Sequence, residues 1–257
     1  MSSLASRAAG LDVSAYVVRG VMIDTGFHHR RREMAGAVRS IGVVGAIVTH
    51  WHEDHAGNAS LLARLGVPLS LRPDTAHTLR ERPFTPLYRR AVWGHPPRMP
   101  AVTPFDDSDF DRVHTPGHTP DHQVVFDRQT GTLFSGDLWL GVRARVLHSS
   151  EDPYVIVESL RIAEALAPDR MFDAHRGLVE LPRVALLAKA EWLTEMLGEL
   201  ERRILEGGSD AEIVRTTLGG EERAAVVSGG DYSRRNLVKA VRRHMADRTR
   251  PAATGRR

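Results

Sequence analysis

The segment Thr49-His50-Trp51-His52-Glu53-Asp54-His55-Ala56-Gly57-Asn58 constrains this chain more than any other. It follows the apolar run Val43, Val44, Ala46, Ile47 and Val48, which reads as a buried strand. A strand end running into a loop is a rigid place from which to present ligands. His50 and His52 are two apart, so they point the same way off an extended backbone while Trp51 points the other way. Asp54 and His55 fall in the following turn and can face a second position. Imidazoles with a carboxylate suit zinc, iron or manganese, not calcium or magnesium alone.

Four more segments carry the same kinds of residue in order: Val21-Met22-Ile23-Asp24-Thr25-Gly26, Thr115-Pro116-Gly117-His118-Thr119-Pro120, Phe134-Ser135-Gly136-Asp137-Leu138 and Phe172-Asp173-Ala174-His175-Arg176-Gly177. With the His-x-His-x-Asp-His string at 50–55, the chain resembles the metallo-beta-lactamase superfamily over residues 11–180. The resemblance implies an α/β fold, a four-layer αβ/βα sandwich with metals at one edge of two facing sheets. It implies that His50, His52 and His118 hold one ion, that Asp54, His55 and His175 hold a second, and that Asp137 bridges them. Two Zn2+ per chain are the default, with iron or manganese as alternatives. Each ion would keep an open position, the mark of a catalytic site, and the pair would share a hydroxide whose parent water has its pKa lowered to about 7. Asp54 would orient that hydroxide and accept its proton. Asp24 would stand behind the ligands. His122, four residues after His118, is read as a supporting or packing residue rather than a ligand. His148, Tyr154 and Arg176 are candidate substrate contacts, Tyr154 as an oxyanion donor.

Composition sets outer bounds. The chain has 257 residues, enough for one large domain or a domain with a small appendage. There is no cysteine, which excludes disulfides, zinc–thiolate sites and thiol catalysis. The N-terminal Met1–Arg7 stretch lacks the apolar core of a secretory signal, and no apolar run approaches the roughly 18 residues of a membrane span. A cytoplasmic protein with no membrane partner is the expectation. A net charge of +3, from 35 basic and 32 acidic residues, is too small to argue for a polyanion partner. Basic residues do concentrate near the C-terminus, where Arg234, Arg235, Lys239, Arg242, Arg243, Arg248, Arg250, Arg256 and Arg257 face Asp247 alone. A solvated helix face is preferred there over nucleic-acid binding.

Apolar periodicity predicts strands over 13–19, 21–24, 43–49, 67–71, 112–115, 123–126, 132–135 and 170–173, and helices over 31–40, 57–65, 74–80 and 153–166. Asp152-Pro153 makes a cap and first-turn pair for the last of these. Residues 82–104, with Pro83, Pro86, Pro96, Pro97, Pro100 and Pro104, read as a loop excursion that forms either a substrate wall or a packed structural loop. After Leu181 the pattern becomes helical: a long amphipathic helix over 182–206, a short one from a Ser209 capping box to Leu218, and a final one over 233–245. The expected organisation is therefore a catalytic domain at 1–180, a helical or winged-helix appendage at 181–247 and a disordered tail at 248–257.

One such metal centre serves many reactions. The resemblance is nearest to hydrolases of ester-type acyl bonds, either a thioester or a lactone, so a small-molecule acyl substrate is the expected partner. A homodimer is compatible with the pattern. The alternative is a phosphodiesterase or ribonuclease of the same fold. An intact Asp137 speaks against a beta-lactamase, the full ligand set against a mononuclear persulfide dioxygenase, and the same completeness against a non-catalytic binding protein. Replacing His118 or Asp137 by Ala should abolish most hydrolysis with little unfolding. Turnover rate and melting temperature, measured together on each variant, test this.

Overall fold

The computed structural model describes residues 1, 2, 6, 12–81 and 84–249. Most of the expected tail, together with Arg82 and Pro83 of the proline-rich excursion, lies outside the described residues. Strands β1 (Tyr16–Val18) and β2 (Val21–Ile23) form a hairpin whose turn residues Arg19 and Gly20 have φ of 49° and 81°. Strands β3 (Gly45–Ile47) and β4 (Leu69–Ser70) add parallel to it, giving a four-stranded sheet in sequential order. A second sheet has the order β10-β9-β7-β6-β5, from Phe110–His114 (β5), Gln123–Asp127 (β6), Thr132–Phe134 (β7), Arg170–Asp173 (β9) and Gly177–Val179 (β10). Within it only β7 and β9 run parallel. Strands β8 (Leu147–His148) and β11 (Tyr232–Ser233) form a separate antiparallel pair.

The two-residue period of the strands builds the layers. Val21, Ile23 and Ile47 point from the first sheet toward Phe110, Val125 and Phe134 of the second, forming the apolar centre between the sheets. The alternate residues Met22 and Ala46 pack outward with Met34 and Val38 of α1 (Arg31–Ile41) and Leu62 of α2 (Ala59–Arg64). On the other side, Val124, Leu133 and Met171 pack outward with Ile156, Leu160 and Ala163 of a helix over Pro153–Ala165. This is the αβ/βα sandwich expected from the sequence. Arg19 ties the sheets together at one end, donating to both oxygens of buried Asp127 at 2.9 and 2.8 Å.

Helices α3 (Pro73–Glu81) and α4 (Leu87–Trp93) lie between β4 and β5. The helix at Pro153–Ala165 is α5; Asp152 caps it, accepting from Tyr154 N and Val155 N. The remaining helices are α6 (Pro182–Leu205), α7 (Asp210–Thr216), capped by Ser209, α8 (Arg223–Val227) and α9 (Arg234–Thr249). One apolar cluster runs without a break from Leu133 and Met171 through Leu160 to Leu186, Leu193 and Leu200 of α6 and on to Leu237 and Val241 of α9. Helices α6, α7 and α9 are thus packed as the outer layer of the sandwich, whereas α8 buries no residue. Arg248 and Thr249, which composition placed in the tail, continue α9, because nothing in Arg234–Thr249 breaks the helical pattern. Leu160 is fully buried where α5 meets the sheet and α6. Leu160→Ala should cost about 2–5 kcal/mol of stability, read as a lower denaturant midpoint.

Candidate metal centre

All the ligand-type residues lie in loops at one edge of the two sheets. His50, His52, Asp54 and His55 follow β3, Asp137 follows β7, His175 follows β9, and His118 precedes β6. The edge is held closed by backbone bonds, within the first sheet from Asp24 N to Ile47 O (2.9 Å) and between the sheets from Gln123 N to Thr49 O (2.9 Å). Ligand-type atoms of His50, His52, His118 and Asp137 lie within 4.8 Å of one another, as do those of Asp54, His55 and His175. Asp137 joins the groups: its Oδ2 is 3.3 Å from His118 Nε2, and its Oδ1 is 3.1 Å from His55 Nε2 and 3.3 Å from His175 Nε2. The structure brings together in these two groups the residues that the family resemblance assigned to two ions.

Four of the imidazoles are oriented from behind. His55 Nδ1 donates to Asp24 Oδ2 (2.7 Å), His118 Nδ1 to Glu151 Oε1 (2.6 Å), His175 Nδ1 to the Asp12 carbonyl (2.7 Å) and His50 Nδ1 to Thr49 Oγ1 (3.0 Å). With the proton fixed on Nδ1, the Nε2 lone pair of each points inward. His52 differs, presenting Nδ1 at 3.0 Å from His118 Nε2. His50 Nε2, His55 Nε2 and Asp137 Oδ1 are buried without hydrogen-bond partners. Buried polar atoms are rarely left so, and inward lone pairs crowded against carboxylates are the arrangement that cations satisfy. The donor set of imidazole and carboxylate therefore fits divalent transition-metal ions.

The charges agree. Burial pushes His50 and His52 well below the ordinary histidine range. Burial acts the same way on His55, His118 and His175, but nearby carboxylates outweigh it. Asp137, Asp24 and Asp54 hold His55 well above the usual range, Glu151 and Asp137 raise His118, and Asp137 with Asp54 raises His175 to about 9. Asp137 is itself held well below the carboxylate range, His55 and His175 overcoming its burial.

The supporting residues fall where the sequence placed some and missed others. Asp24, at φ 58°, also accepts from Thr49 N (2.8 Å), so one carboxylate fixes the strand end and one ligand together. His122 is a brace: Nδ1 donates to Thr115 O (3.0 Å) and Nε2 accepts from Asp137 N (3.2 Å). Burial pushes it down to about 3, so it stays neutral. Gly136 (φ 52°) is required beside it, since a Cβ there would stand 2.7 Å from His122 Nε2. His148 lies at the rim, its ring centroid 6.5 Å from that of His52. Arg176 lines an open cavity of about 460 Å³ with Trp139, Leu178, Glu180 and Ala185.

Tyr154 is a correction. Its hydroxyl donates to Glu201 Oε1 (2.6 Å) and its ring stacks on His244 at 3.6 Å, so it joins α5 to α6 and α9 rather than serving as an oxyanion donor. Adjacency to a ligand segment misled there, because the first turn of a capped helix turns successive side chains to different sides.

Sequence reasoning missed Glu151, Asp173, Lys189 and Arg89. Asp173 accepts from Leu140 N, His175 N and Arg176 N (2.9 Å each), tying the two ligand loops of the second sheet together. Lys189, pushed by burial down to about 8, donates to the Leu138 carbonyl (2.9 Å) just after Asp137. Arg89 of α4 bonds Glu53 Oε2 through Nε (2.9 Å), which makes the excursion a wall of the ligand loop. The only local signal was an acidic or basic residue inside an otherwise apolar stretch, as at Lys189 in α6.

Residues 8–197 match the metallo-beta-lactamase superfamily model. The chain belongs to the metallo-beta-lactamase superfamily. Among relatives, the Beta-lactamase-like protein 2 homolog of Drosophila melanogaster is 30% identical over 169 residues, 62% of this chain and 52% of that protein. An atrochrysone carboxyl ACP thioesterase of Aspergillus fumigatus is 29% identical over 149 residues, 56% of this chain and 31% of that one. The chain thus spans about half the length, or less, of these curated relatives. A metallo-beta-lactamase family protein of Thermus thermophilus shares the fold, with a TM-score of 0.65 and 17% identity over 92% of this chain and 88% of that one. TTHA1623, solved in a di-iron-bound form, gives a TM-score of 0.54 and 27% identity over 67% of this chain and 92% of that one. The superfamily's metal is therefore not fixed by its fold.

Asp24→Asn tests the backing of the ligands. Asn tolerates the same left-handed backbone but removes the charge on His55. Metal affinity should fall about 10–100-fold, measured by chelator competition, with the melting temperature of the metal-free protein little changed.

Proposed function

We propose that this chain is a two-metal hydrolase of an ester-type acyl bond, a thioester first and a lactone second. The observation that carries the reading is Asp137, whose two oxygens face the two ligand groups at once. His50, His52 and His118 would hold one ion, Asp54, His55 and His175 the other, and Asp137 both; zinc is the default metal, with iron or manganese as alternatives. When bound, such ions supply a Lewis-acidic surface that polarises a carbonyl oxygen and acidifies water.

The protein's own groups do the rest. Asp54 Oδ2 lies 3.5 Å from His175 Nε2 and 3.9 Å from His55 Nε2, where a carboxylate orients the attacking water and takes its proton. Asp24, Glu151 and the Asp12 carbonyl keep the imidazoles in one tautomer throughout. The cavity walled by Trp139, Leu178, Ala185, Arg176 and Glu180 offers apolar surface for an acyl group, with one charge of each sign at its edge. The relatives named as acyl-carrier-protein thioesterases support the thioester over the lactone.

Two of the basic residues that suggested nucleic acid have internal partners. Arg242 Nε donates to Asp210 Oδ1 (2.7 Å), and Arg234 Nη1 donates to the carbonyls of Leu218 (2.6 Å) and Gly220 (3.0 Å). Among the described residues no helix is long and apolar enough to cross a membrane.

Zinc-loaded protein assayed against an acyl thioester, an acyl-homoserine lactone and an activated phosphodiester should turn over the thioester or lactone, and a chelator should abolish that turnover. Phosphodiester turnover alone would replace the acyl reading with the nuclease one.

A further inference from the structure

Tyr232 belongs to none of the ligand motifs and comes from the far end of the chain. It pairs across β11 and β8 directly opposite His148, and the two rings meet edge-on with centroids 5.0 Å apart. His148 in turn stands beside His52. Arg89, anchored on Glu53 between His52 and Asp54, donates from Nη1 to the Tyr232 phenolic oxygen at 3.2 Å. That bond uses the oxygen as an acceptor. Tyr232 is half-buried, and among the described residues the structure gives no acceptor for its O–H. Burial raises the phenol well above its ordinary range, the Arg89 guanidinium acting against that shift and the carboxylates of Glu151 and Asp54 with it.

The segment is braced as a binding wall would be. Tyr88 donates to Asp231 Oδ2 (3.1 Å), Ser149 N to Asp231 O (2.9 Å), and the Asn236 amide to the carbonyls of Leu147 (3.0 Å) and Asp231 (2.8 Å). These bonds hold β11 against both the excursion at α4 and the segment that leads into Glu151. With its oxygen bonded to the Arg89 guanidinium, the phenol has the direction of its remaining O–H fixed.

Resting on the acyl-hydrolase reading, we propose that Tyr232 is a catalytic residue that donates a hydrogen bond to the substrate's carbonyl oxygen, with Arg89 its positioning residue. Water attacks the carbonyl carbon while Asp54 takes its proton, the π electrons move onto the oxygen, and the O–H of Tyr232 stabilises the negative charge there; the proton on Asp54 is then available to the departing alkoxide or thiolate. The oxygen's electrons then return as the thiolate or alkoxide departs. The phenol keeps its proton throughout, so the group is unchanged at the end of the cycle. A donor aimed at charge that grows only in the transition state acts on kcat more than on substrate binding.

The test is Tyr232→Phe in the full-length zinc-loaded protein, which keeps the ring against His148 and removes the O–H. Two probes are used: turnover of S-phenyl thioacetate, and calorimetric binding of methylphosphonate, whose tetrahedral oxyanion resembles the intermediate of acetyl transfer. The expected result is a fall in kcat of roughly 10²-fold at nearly unchanged KM, and methylphosphonate affinity lower by about tenfold. Zinc content and melting temperature should match the wild type. Equal kcat and equal phosphonate affinity in the two proteins would overturn the assignment, as would failure of the wild type to bind methylphosphonate. Loss of zinc or a large drop in melting temperature would overturn it too, by making Tyr232 a structural brace. If phosphonate binding depends on Tyr232 but the wild type hydrolyses neither thioester nor lactone, the acyl-hydrolase reading fails while the donor assignment stands.

Discussion

Asp137 is the point on which the site turns. One carboxylate, nearly buried, touches three histidines that arrive from different loops. A charge so placed is costly to bury unless it is matched by cations. Everything around it supplies that match or prepares for it. His122 holds its backbone N–H, Lys189 holds the carbonyl of the next residue, and Gly136 leaves room for His122. The site is therefore less a cluster of ligands than a set of loops pinned at fixed places, each pin a buried hydrogen bond to charge or backbone.

That pinning explains why the sandwich must be as complete as it is. The ligands come from both sheets, so their spacing depends on the apolar contact of Val21, Ile23 and Ile47 with Phe110, Val125 and Phe134. The outer helices matter for the same reason. α6 brings Lys189 to the bridging loop, α4 brings Arg89 to Glu53, and β11 brings Tyr232 to the rim. The helical C-terminal part thus contributes side chains to the neighbourhood of the centre as well as covering the second sheet.

The local grammar of this chain was easy to read. Alternating apolar residues marked most of the strands, and Asp152-Pro153 and Ser209 marked helix starts, because those signals arise within a few residues and need no partner. Elements that exist only through distant pairing gave no such signal. β8, β10 and β11 lie in no longer run of alternating apolar residues, and α4 lay hidden in a proline-rich stretch. β3 closed at Gly45–Ile47 although the apolar run began at Val43, since Val44 is 58% exposed.

The sequence by itself determined which residues can ligate a metal, while their division into two groups with Asp137 common to both is what the family resemblance implied. Residue type and family spacing suffice for that, because a ligand atom must lie on a named side chain near a strand end. Only the tertiary structure decided what stands behind and in front of those ligands. The partner of His118 is Glu151, that of His55 is Asp24, and that of Glu53 is Arg89, separated along the chain by 33, 31 and 36 residues. Hydrogen bonds across such distances depend on how two sheets and their covering helices meet, and that is fixed by packing, not by any pattern in the local sequence.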